Sequence, residues 1–319
     1  MSHEFEKGFS VREPAWHGLA VILDDYPGRQ KAMEIAGHNF KVKERPVYFR
    51  LDGGSVVKGW KALIRSDTSE ALSVVRESYK VVPNEVLWDI VDAIVDQENV
   101  KYETAGVLKS GTVLWVLARL DEPSKIPGDN SPIYPYCMVS TTHDGSAACM
   151  ARAVSVRVVC WNTFSMADSQ AKQTGLQYTF RHTKNVMGRI EEAKAALAIT
   201  RHQHAEFMEL ANELAEIPVT EDNVKEFLAR FIPEPPADVL SERVKANIGN
   251  ARLQVYDLLN GPSIGEAHRR TGYGLWMAGI EYVDHLRGFH NPETYFNRTM
   301  MHPMPIKQKI AKLVKEIAA

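Results

Sequence analysis

The chain has 319 residues, of which 45% are hydrophobic and 24% are charged, and its formal net charge is -2. This length and apolar content are sufficient for a substantial buried core, in one large domain or in two. A charge so close to zero excludes a general electrostatic attraction to nucleic acid or to membranes, so any such affinity needs a local patch.

The sequence also carries indications of compartment. No apolar run approaches the ~20 residues that span a bilayer, and we expect no signal peptide at the N-terminus. The cysteines, Cys137, Cys149 and Cys160, lie in apolar segments without the paired spacing of a metal site. An odd number of such thiols is typical of a reducing compartment. We therefore expect a soluble cytoplasmic protein that makes no contact with membranes.

Residues 1–184 are predicted to form an α+β domain with a central antiparallel sheet and packed helices. The expected elements, in chain order, are a helix at Lys31–Ala36, a hairpin of Pro46–Leu51 and Val56–Trp60 around Gly53-Gly54, a short strand at Ala62–Arg65, a helix after Pro83-Asn84, and a strand at Val113–Leu120. The helix after Asn84 is indicated by the spacing of Leu87, Ile90 and Val91, which places them on one buried face. A loop rich in Pro, Gly, Asp and Asn follows at 121–132.

A second hairpin is predicted around Asp144-Gly145. If these two residues form the turn, His143 lies opposite Ser146, Ser140 opposite Cys149, and Cys137 opposite Arg152. The alternative is that the alanine-rich stretch 146–153 is helical, as its propensity allows. The turn signal and the β-branched residues that follow favour the strand.

The chain becomes helical from residue 185, and residues 185–319 are predicted to form a helical region that begins with one long helix. The expected helices are Val186–Ile217, Val224–Phe231, Ala237–Leu259, Ser263–Arg287 and Pro305–Ala318. Pro218 ends the first helix, and Thr220 begins a capping sequence for the second.

A cationic segment marks the end of the α+β region. Between residues 145 and 189 there are six lysines and arginines and one acidic residue. Aromatic residues are interleaved with them, and this combination suits a single-stranded nucleic acid, because guanidinium groups neutralise phosphates while flat rings stack on bases. The predicted nucleic-acid-binding residues are Arg152, Arg157, Trp161, Tyr178, Arg181, Lys184 and Arg189.

The opposing interpretation is that the aromatic residues are core and the arginines pair with carboxylates such as Glu191, Glu192 or Asp144. A further constraint is that Arg152 and Arg157 are five residues apart. In a regular strand they would point to opposite faces, so a bulge near Val154-Ser155 is needed to bring them together.

Other polar clusters are weaker. Glu281, Asp284 and His285 have the spacing of one helical face and could hold a metal, but an intrahelical hydrogen-bond cluster is the more common use of such a pattern. His202 and His204 are two residues apart, which is the wrong spacing for a metal pair on a helix. The sequence has no nucleophile elbow, phosphate loop or dinucleotide fingerprint, so we expect no enzyme activity, metal or cofactor.

Several motifs together carry a family resemblance. They are Trp16-His17-Gly18, Tyr79-Lys80-Val81-Val82-Pro83-Asn84, His143-Asp144-Gly145, Arg157-Val158-Val159-Cys160-Trp161-Asn162-Thr163, Arg181-His182-Thr183 and Glu281-Tyr282-Val283-Asp284-His285. Over nearly the whole chain the sequence resembles the phage/plasmid-like proteins built on a domain of unknown function and common in actinobacterial phages. This resemblance implies the cytoplasm of a bacterial host. A strand, hairpin, strand and long helix also resemble the core of single-strand annealing proteins, by architecture alone.

We therefore expect a phage protein that binds single-stranded DNA or RNA without covalent chemistry and promotes strand annealing in recombination or replication. Its arginines and Lys184 would contact phosphates, Trp161 or Tyr178 would stack on bases, and copies of the chain would associate. The alternative is an interaction protein that occupies a host protein. A metal-dependent enzyme using Glu281, Asp284 and His285 is the third hypothesis.

Overall fold

A computed structural model describes residues 5–12, 20–49, 54–94, 101–120, 122–129, 131–157, 162–164, 177–180, 190–236, 238, 240–287 and 305–318. The strands are β1 (Phe5–Val11), β2 (Val21–Leu23), β3 (Val42–Phe49), β4 (Ser55–Arg65), β5 (Ala71–Arg76), β6 (Lys101–Leu108), β7 (Val113–Arg119), β8 (Ile133–Thr142), β9 (Cys149–Arg157), β10 (Asn162–Phe164) and β11 (Gln177–Phe180). The helices are α1 (Arg29–Ala36), α2 (Glu85–Ile94), α3 (Ile190–Glu216), α4 (Glu221–Phe231), α5 (Glu242–Asn260), α6 (Gly272–Glu281) and α7 (Pro305–Ala318). The predicted α+β class is confirmed.

Eight strands form the larger sheet, in the order β10-β9-β8-β7-β6-β1-β2, and β11 also pairs with β9. Helices α1 and α2 cover one face of this sheet, and their apolar side chains share a core with alternate residues of β6, β7 and β8. As predicted, Leu87, Ile90 and Val91 of α2 are buried. The strand expected at Val113–Leu120 is β7, at the centre of the sheet. The sequence did not predict β1 or β6.

The smaller sheet has three antiparallel strands in the order β3-β4-β5. Its first two strands confirm the predicted hairpin, with Tyr48 opposite Val56 and Phe49 opposite Ser55. The short strand expected at Ala62–Arg65 is the continuation of β4, since one strand runs through the whole segment.

The second predicted hairpin is present as β8 and β9, but its predicted register is wrong by one residue. Ser140 lies opposite Met150 rather than Cys149, and Arg152 lies opposite Met138 rather than Cys137. The connection is longer than a two-residue turn, since the pairing of β8 with β9 ends at Ser140 opposite Met150. Beyond that pair, the backbone N–H of His143 continues the pairing of β8 with β7 by donating to the Thr112 carbonyl (2.7 Å). A slip of one residue exchanges the two faces of the strand, so this difference changes which residues share a face.

The C-terminal helices pack around a second core of mostly apolar side chains. The long helix and the helix at Val224–Phe231 agree with α3 and α4, and Thr220 forms the capping box of α4 with Asn223. The predicted helix Ser263–Arg287 is wrong in extent. It contains a short 3-10 turn (Glu266–His268), then α6, then a turn of π-helix (Tyr282–Leu286). No helix within the described ranges is both long and apolar enough to cross a membrane.

The buried amide of Asn84 joins three segments of the fold. Its Nδ2 donates to the carbonyls of His38 (3.0 Å) and Phe40 (2.9 Å), which follow α1. Its Oδ1 is 2.9 Å from Nε2 of His143 in the loop between β8 and β9. Since both amide hydrogens of Asn84 are used, its Oδ1 is the acceptor and His143 Nε2 the donor.

The same network reaches the smaller sheet. Ser73 Oγ on β5 donates to the carbonyl of His143 (2.5 Å), and the Tyr79 hydroxyl donates to the carbonyl of Thr142 (3.0 Å). Gly145, in the same loop, has φ +75° and lies against the Tyr79 ring. Two motifs that are distant in sequence, 79–84 and 143–145, are therefore in direct contact, and this contact ties the two sheets together.

His38 is buried and neutral. Trp88 Nε1 donates to its Nδ1 (3.2 Å), so Nε2 carries the hydrogen and donates to the Gly106 carbonyl (2.9 Å). Burial lowers the pKa of His38 to about 4, because a charged imidazole loses its hydration there.

We expect Asn84→Ala to lower the free energy of unfolding by about 3 kcal/mol, because it leaves two carbonyls and one ring N–H without this partner in a buried site. Urea unfolding at pH 7 measures the loss. The control is Asn260→Ala on the surface of α5, where a change within about 0.5 kcal/mol is expected. An equal effect of the two substitutions would contradict the role given to Asn84.

The neutral state of His38 predicts a pH dependence of stability. The unfolded chain binds a proton at His38 below about pH 6.5, whereas the folded chain does not until about pH 4, so stability falls as the pH falls through this window. Compared with His38→Gln, the wild-type protein should lose about 2 kcal/mol more between pH 7 and pH 5. Urea unfolding of both proteins at the two pH values provides the comparison. A difference between them that does not change with pH would contradict a buried, neutral His38.

Candidate nucleic-acid interface

The seven residues predicted to bind nucleic acid are only partly covered by the structure. The backbone positions of Arg152 and Arg157 lie in β9, and that of Tyr178 lies in β11. Trp161, Arg181, Lys184 and Arg189 lie outside the described residues.

The register of β9 decides whether positions 152 and 157 can lie on the same face of the sheet. The pairing of β8 with β9 runs without a shift from Ser140 opposite Met150 to Ile133 opposite Arg157. The bulge required near Val154-Ser155 is therefore absent from this strand, and positions 152 and 157 fall on alternate faces. Tyr178 pairs with Ala151 and so occupies the face opposite to position 152. The seven-residue set remains a prediction.

A different surface combines aromatic and cationic side chains within the described residues. Alternate residues of the three-stranded sheet form a face that we call the outer face. Cross-strand pairing places its members on one side, since residues directly opposite each other share a face. The outer face consists of Lys43, Arg45, Trp60, Ala62, Ile64, Val74 and Arg76.

The aromatic residues of this sheet are accessible. Trp60 is 36% exposed, and the guanidinium of Arg76 lies 4.2 Å from the centre of its ring. Tyr48 and Phe49, at the end of the hairpin, are 63% and 46% exposed. By alternation along β3, Phe49 lies on the side of Lys43 and Arg45, whereas Tyr48 lies on the side of Glu44 and Pro46. Large aromatic side chains are usually buried, so the exposed Trp60 and Phe49 mark the outer face as a candidate binding surface.

The charged residues of the outer face are all cationic. None of its strand positions is Asp or Glu. Within the described part of the chain, no carboxylate lies within 4 Å of the charged groups of Lys43, Arg45, Arg76 or the nearby Lys58. These charges are available to an anionic ligand without breaking an ion pair.

The inner face of the same sheet has the opposite character. Leu63 and Val75 are buried, and the two inner cations have partners. Lys61 Nζ donates to Glu44 Oε1 and to the Tyr79 carbonyl, both at 2.7 Å. A buried charge is costly unless it is paired, which explains why these contacts are close.

Arg65 connects the inner face to the larger sheet. Its guanidinium makes two hydrogen bonds to Glu6 on β1 (2.8 and 2.7 Å) and two to Asp67 (3.0 and 2.8 Å). It lies 4.3 Å from the centre of the Phe40 ring. Hydrogen bonds from Arg65 lower the pKa of Asp67. The inner face is therefore held in place on several sides.

The other polar clusters have structural partners. Asp284 is buried and forms an ion pair with Lys307 of α7 (2.7 Å). His204 lies between two hydroxyls, with Nε2 3.0 Å from Ser124 Oγ and Nδ1 2.9 Å from Ser155 Oγ. Across the described ranges, no group of three or more His, Cys, Asp or Glu side chains is placed to hold a metal ion.

Sequence reasoning did not find the outer face. The signal was present, because residues 41–80 contain nine lysines and arginines against five acidic residues. Which of these cations are buried depends on strand pairing, and Lys61 and Arg65 look no different in sequence from Lys58.

With two separate sheets and a helical C-terminal region, the chain is a mixed α+β protein. Its sequence matches the family described as Domain of unknown function (DUF932) over residues 71–303, well over half of the chain, and the protein belongs to this family. The matched segment includes Asn84 and His143 and begins at the first residue of β5, so β3 and β4 precede it. No curated protein and no solved structure matches the chain.

The contrast between the two faces predicts different effects of similar substitutions. Lys61→Met should lower the free energy of unfolding by about 1–3 kcal/mol, because it removes the buried partner of Glu44 and of the Tyr79 carbonyl. Lys58→Met, three residues earlier on the same strand, should change it by no more than about 0.5 kcal/mol. Thermal and urea unfolding measure both. A larger loss at Lys58 than at Lys61 would reverse the assignment of faces.

Proposed function

We propose that this protein binds single-stranded nucleic acid across the outer face of its three-stranded sheet. The observation that carries the proposal is the set of accessible aromatic rings and cations on and beside a sheet face that has no acidic residue, where no carboxylate among the described residues pairs with these cations. Base stacking on aromatic side chains contributes about 1–3 kcal/mol per base, and cations beside the rings neutralise the phosphates. A sheet face with this composition suits an extended strand.

The arrangement of charges supports a single strand without sequence preference. Lysine and arginine contact phosphates, which carry no sequence information, and every base has a flat face that can stack on Trp60 or Phe49. The guanidinium of Arg76 lies over the Trp60 ring. A cation that can neutralise a backbone phosphate is therefore close to the ring on which a base would stack.

The cationic segment 145–189 is a second proposed contact. It contains six cations and one acidic residue, whereas the whole chain has nearly equal numbers of the two. The proposed phosphate contacts in this segment are Arg152, Arg157, Arg181, Lys184 and Arg189. Two regions of this kind would hold a longer strand than either alone and would strengthen binding by keeping the second contact close to the first.

The biological setting is part of the same proposal. The resemblance to phage/plasmid-like proteins supports a role in a bacteriophage or prophage, in the cytoplasm of the bacterial host. A protein that holds a strand extended and neutralised lowers the repulsion between two complementary strands, so annealing in recombination or replication needs no catalytic residue. Self-association along the strand would extend the bound segment.

A protein partner is the second candidate. Tyr48, Phe49 and Val56 are exposed at the end of the hairpin and would suit an apolar contact with a host protein. Salt distinguishes the two functions, because phosphate binding weakens steeply with salt and apolar contact does not.

We expect the logarithm of the affinity for oligothymidine to fall linearly with the logarithm of salt concentration, with a slope of about -0.7 for each phosphate contacted. Lys43→Ala combined with Arg76→Ala should weaken binding and reduce the slope by about 0.7 per lost contact. Fluorescence anisotropy measures both quantities at salt concentrations from about 50 to about 300 mM, where phosphate contacts weaken steeply.

Two matched double variants complete this experiment. Lys225→Ala with Lys245→Ala removes two exposed lysines from α4 and α5 and should change neither affinity nor slope. Arg157→Ala with Arg181→Ala tests the 145–189 segment separately. Absence of wild-type affinity at low salt, or an unchanged slope in the Lys43/Arg76 variant, would contradict nucleic-acid binding on the outer face.

A further inference from the structure

A recess opens where β4 separates from β3. Pro46 lies opposite Lys61, but two residues further along β3 Tyr48 lies opposite Val56. Four residues of β4, 57–60, therefore face the single residue Val47 of β3. The extra residues form a wide bulge, which Gly59 permits by adopting φ +80°.

The recess has a volume of about 640 Å³. Binding sites for small molecules are typically about 300–1,000 Å³, so it can hold a ligand of ordinary size. Because the register with β3 gives residues 57–60 no partner, the strand that lines the recess is not paired on that side within the described sheet. Backbone N–H and C=O groups along an open strand can bond to a ligand.

The side chains around the recess combine one ring with several charges. Trp60 forms part of the wall, and the cations are Arg45, Lys58, Lys61 and Lys80. Lys61 is occupied by Glu44 (2.7 Å). Lys58 and Arg45 have no carboxylate within 4 Å among the described residues, so they can take an anion.

We propose that this recess binds one nucleoside monophosphate unit, with the base against Trp60 and the phosphate held by Lys58 and Arg45. The inference rests on the proposed function, since it places one nucleotide of a bound strand in the recess beside the outer face. A free nucleotide offers the same chemistry and is the probe of the site.

The composition of the recess favours a nucleotide over simpler ligands. An inorganic anion would use the cations but not the indole, and an apolar ligand would use the indole but leave Lys58 and Arg45 without a partner. Glu77, which also lines the recess, can accept a hydrogen bond from a base or sugar donor, which an inorganic phosphate lacks. A flat ring joined to a phosphate uses all of these groups.

Calorimetric titration at low salt tests the proposal with four probes: thymidine 5′-monophosphate, thymidine, inorganic phosphate and a twelve-residue oligothymidine. We expect the monophosphate to bind with a dissociation constant below about 1 mM, and thymidine and phosphate to bind at least tenfold more weakly. Lys58→Glu should weaken the monophosphate at least tenfold. Lys43→Glu, an equal charge reversal on the outer face away from the recess, should weaken the oligonucleotide but leave the monophosphate unchanged.

Each contrary result has a defined meaning. If the oligonucleotide binds and the monophosphate does not, the recess proposal fails while binding on the outer face stands. If phosphate binds as tightly as the monophosphate, the recess is an anion site and the proposal is overturned. If no probe binds to wild-type protein that has a native circular dichroism spectrum, both the recess and the proposed function fail. Trp60→Phe should retain monophosphate binding, whereas Trp60→Leu should lose it. Equal effects of the two substitutions would show that the base does not lie against the indole.

Discussion

The three hydrogen bonds of the Asn84 side chain are the constraint on which the arrangement of the two sheets depends. This amide is buried, and it bonds the segment after α1 through two carbonyls and the β8–β9 loop through His143. The carbonyl of the same histidine accepts a hydrogen bond from Ser73 on the smaller sheet. Because unpaired buried polar groups are expensive, these segments can satisfy their backbone only when all of them are in place. The position of the smaller sheet is therefore set from its inner side.

Because the smaller sheet is attached through its inner face, its cations are either buried and paired on that face or exposed on the outer face. Lys61 and Arg65 are buried on β4 and are matched by Glu44, Glu6 and Asp67. Removing a partner from a buried charge is strongly destabilising, so these residues serve the fold. Lysines and arginines on the outer face contribute little to stability, because solvent screens them. No carboxylate among the described residues pairs with them, so they are available to an anionic ligand. The bulge at Gly59 adds a recess at the edge of this surface.

Much of the fold could be predicted from local sequence. Turn residues located both hairpins, and the spacing of Leu87, Ile90 and Val91 located α2. The register of β8 and β9 could not be predicted, because the loop between them is held by contacts of His143 with residues distant in the chain: Thr112 through its backbone N–H, and Asn84, 59 residues earlier, through its ring. For the same reason β1 and β6 were missed, since their pairing joins segments about 100 residues apart. In the candidate site, the sequence count of cations identified 145–189 but could not distinguish the buried Lys61 from the exposed Lys58.

Photocrosslinking gives the most direct test that single-stranded nucleic acid lies on the outer face. The native protein would be irradiated with an oligothymidine carrying photoreactive bases, and the crosslinked peptides identified by mass spectrometry. The account predicts crosslinks in the peptides of β3 and β4, centred on Trp60 and Phe49, that disappear with excess unmodified oligonucleotide. Crosslinks confined to the 145–189 segment or to the C-terminal helices, with none in β3 to β5, would contradict it.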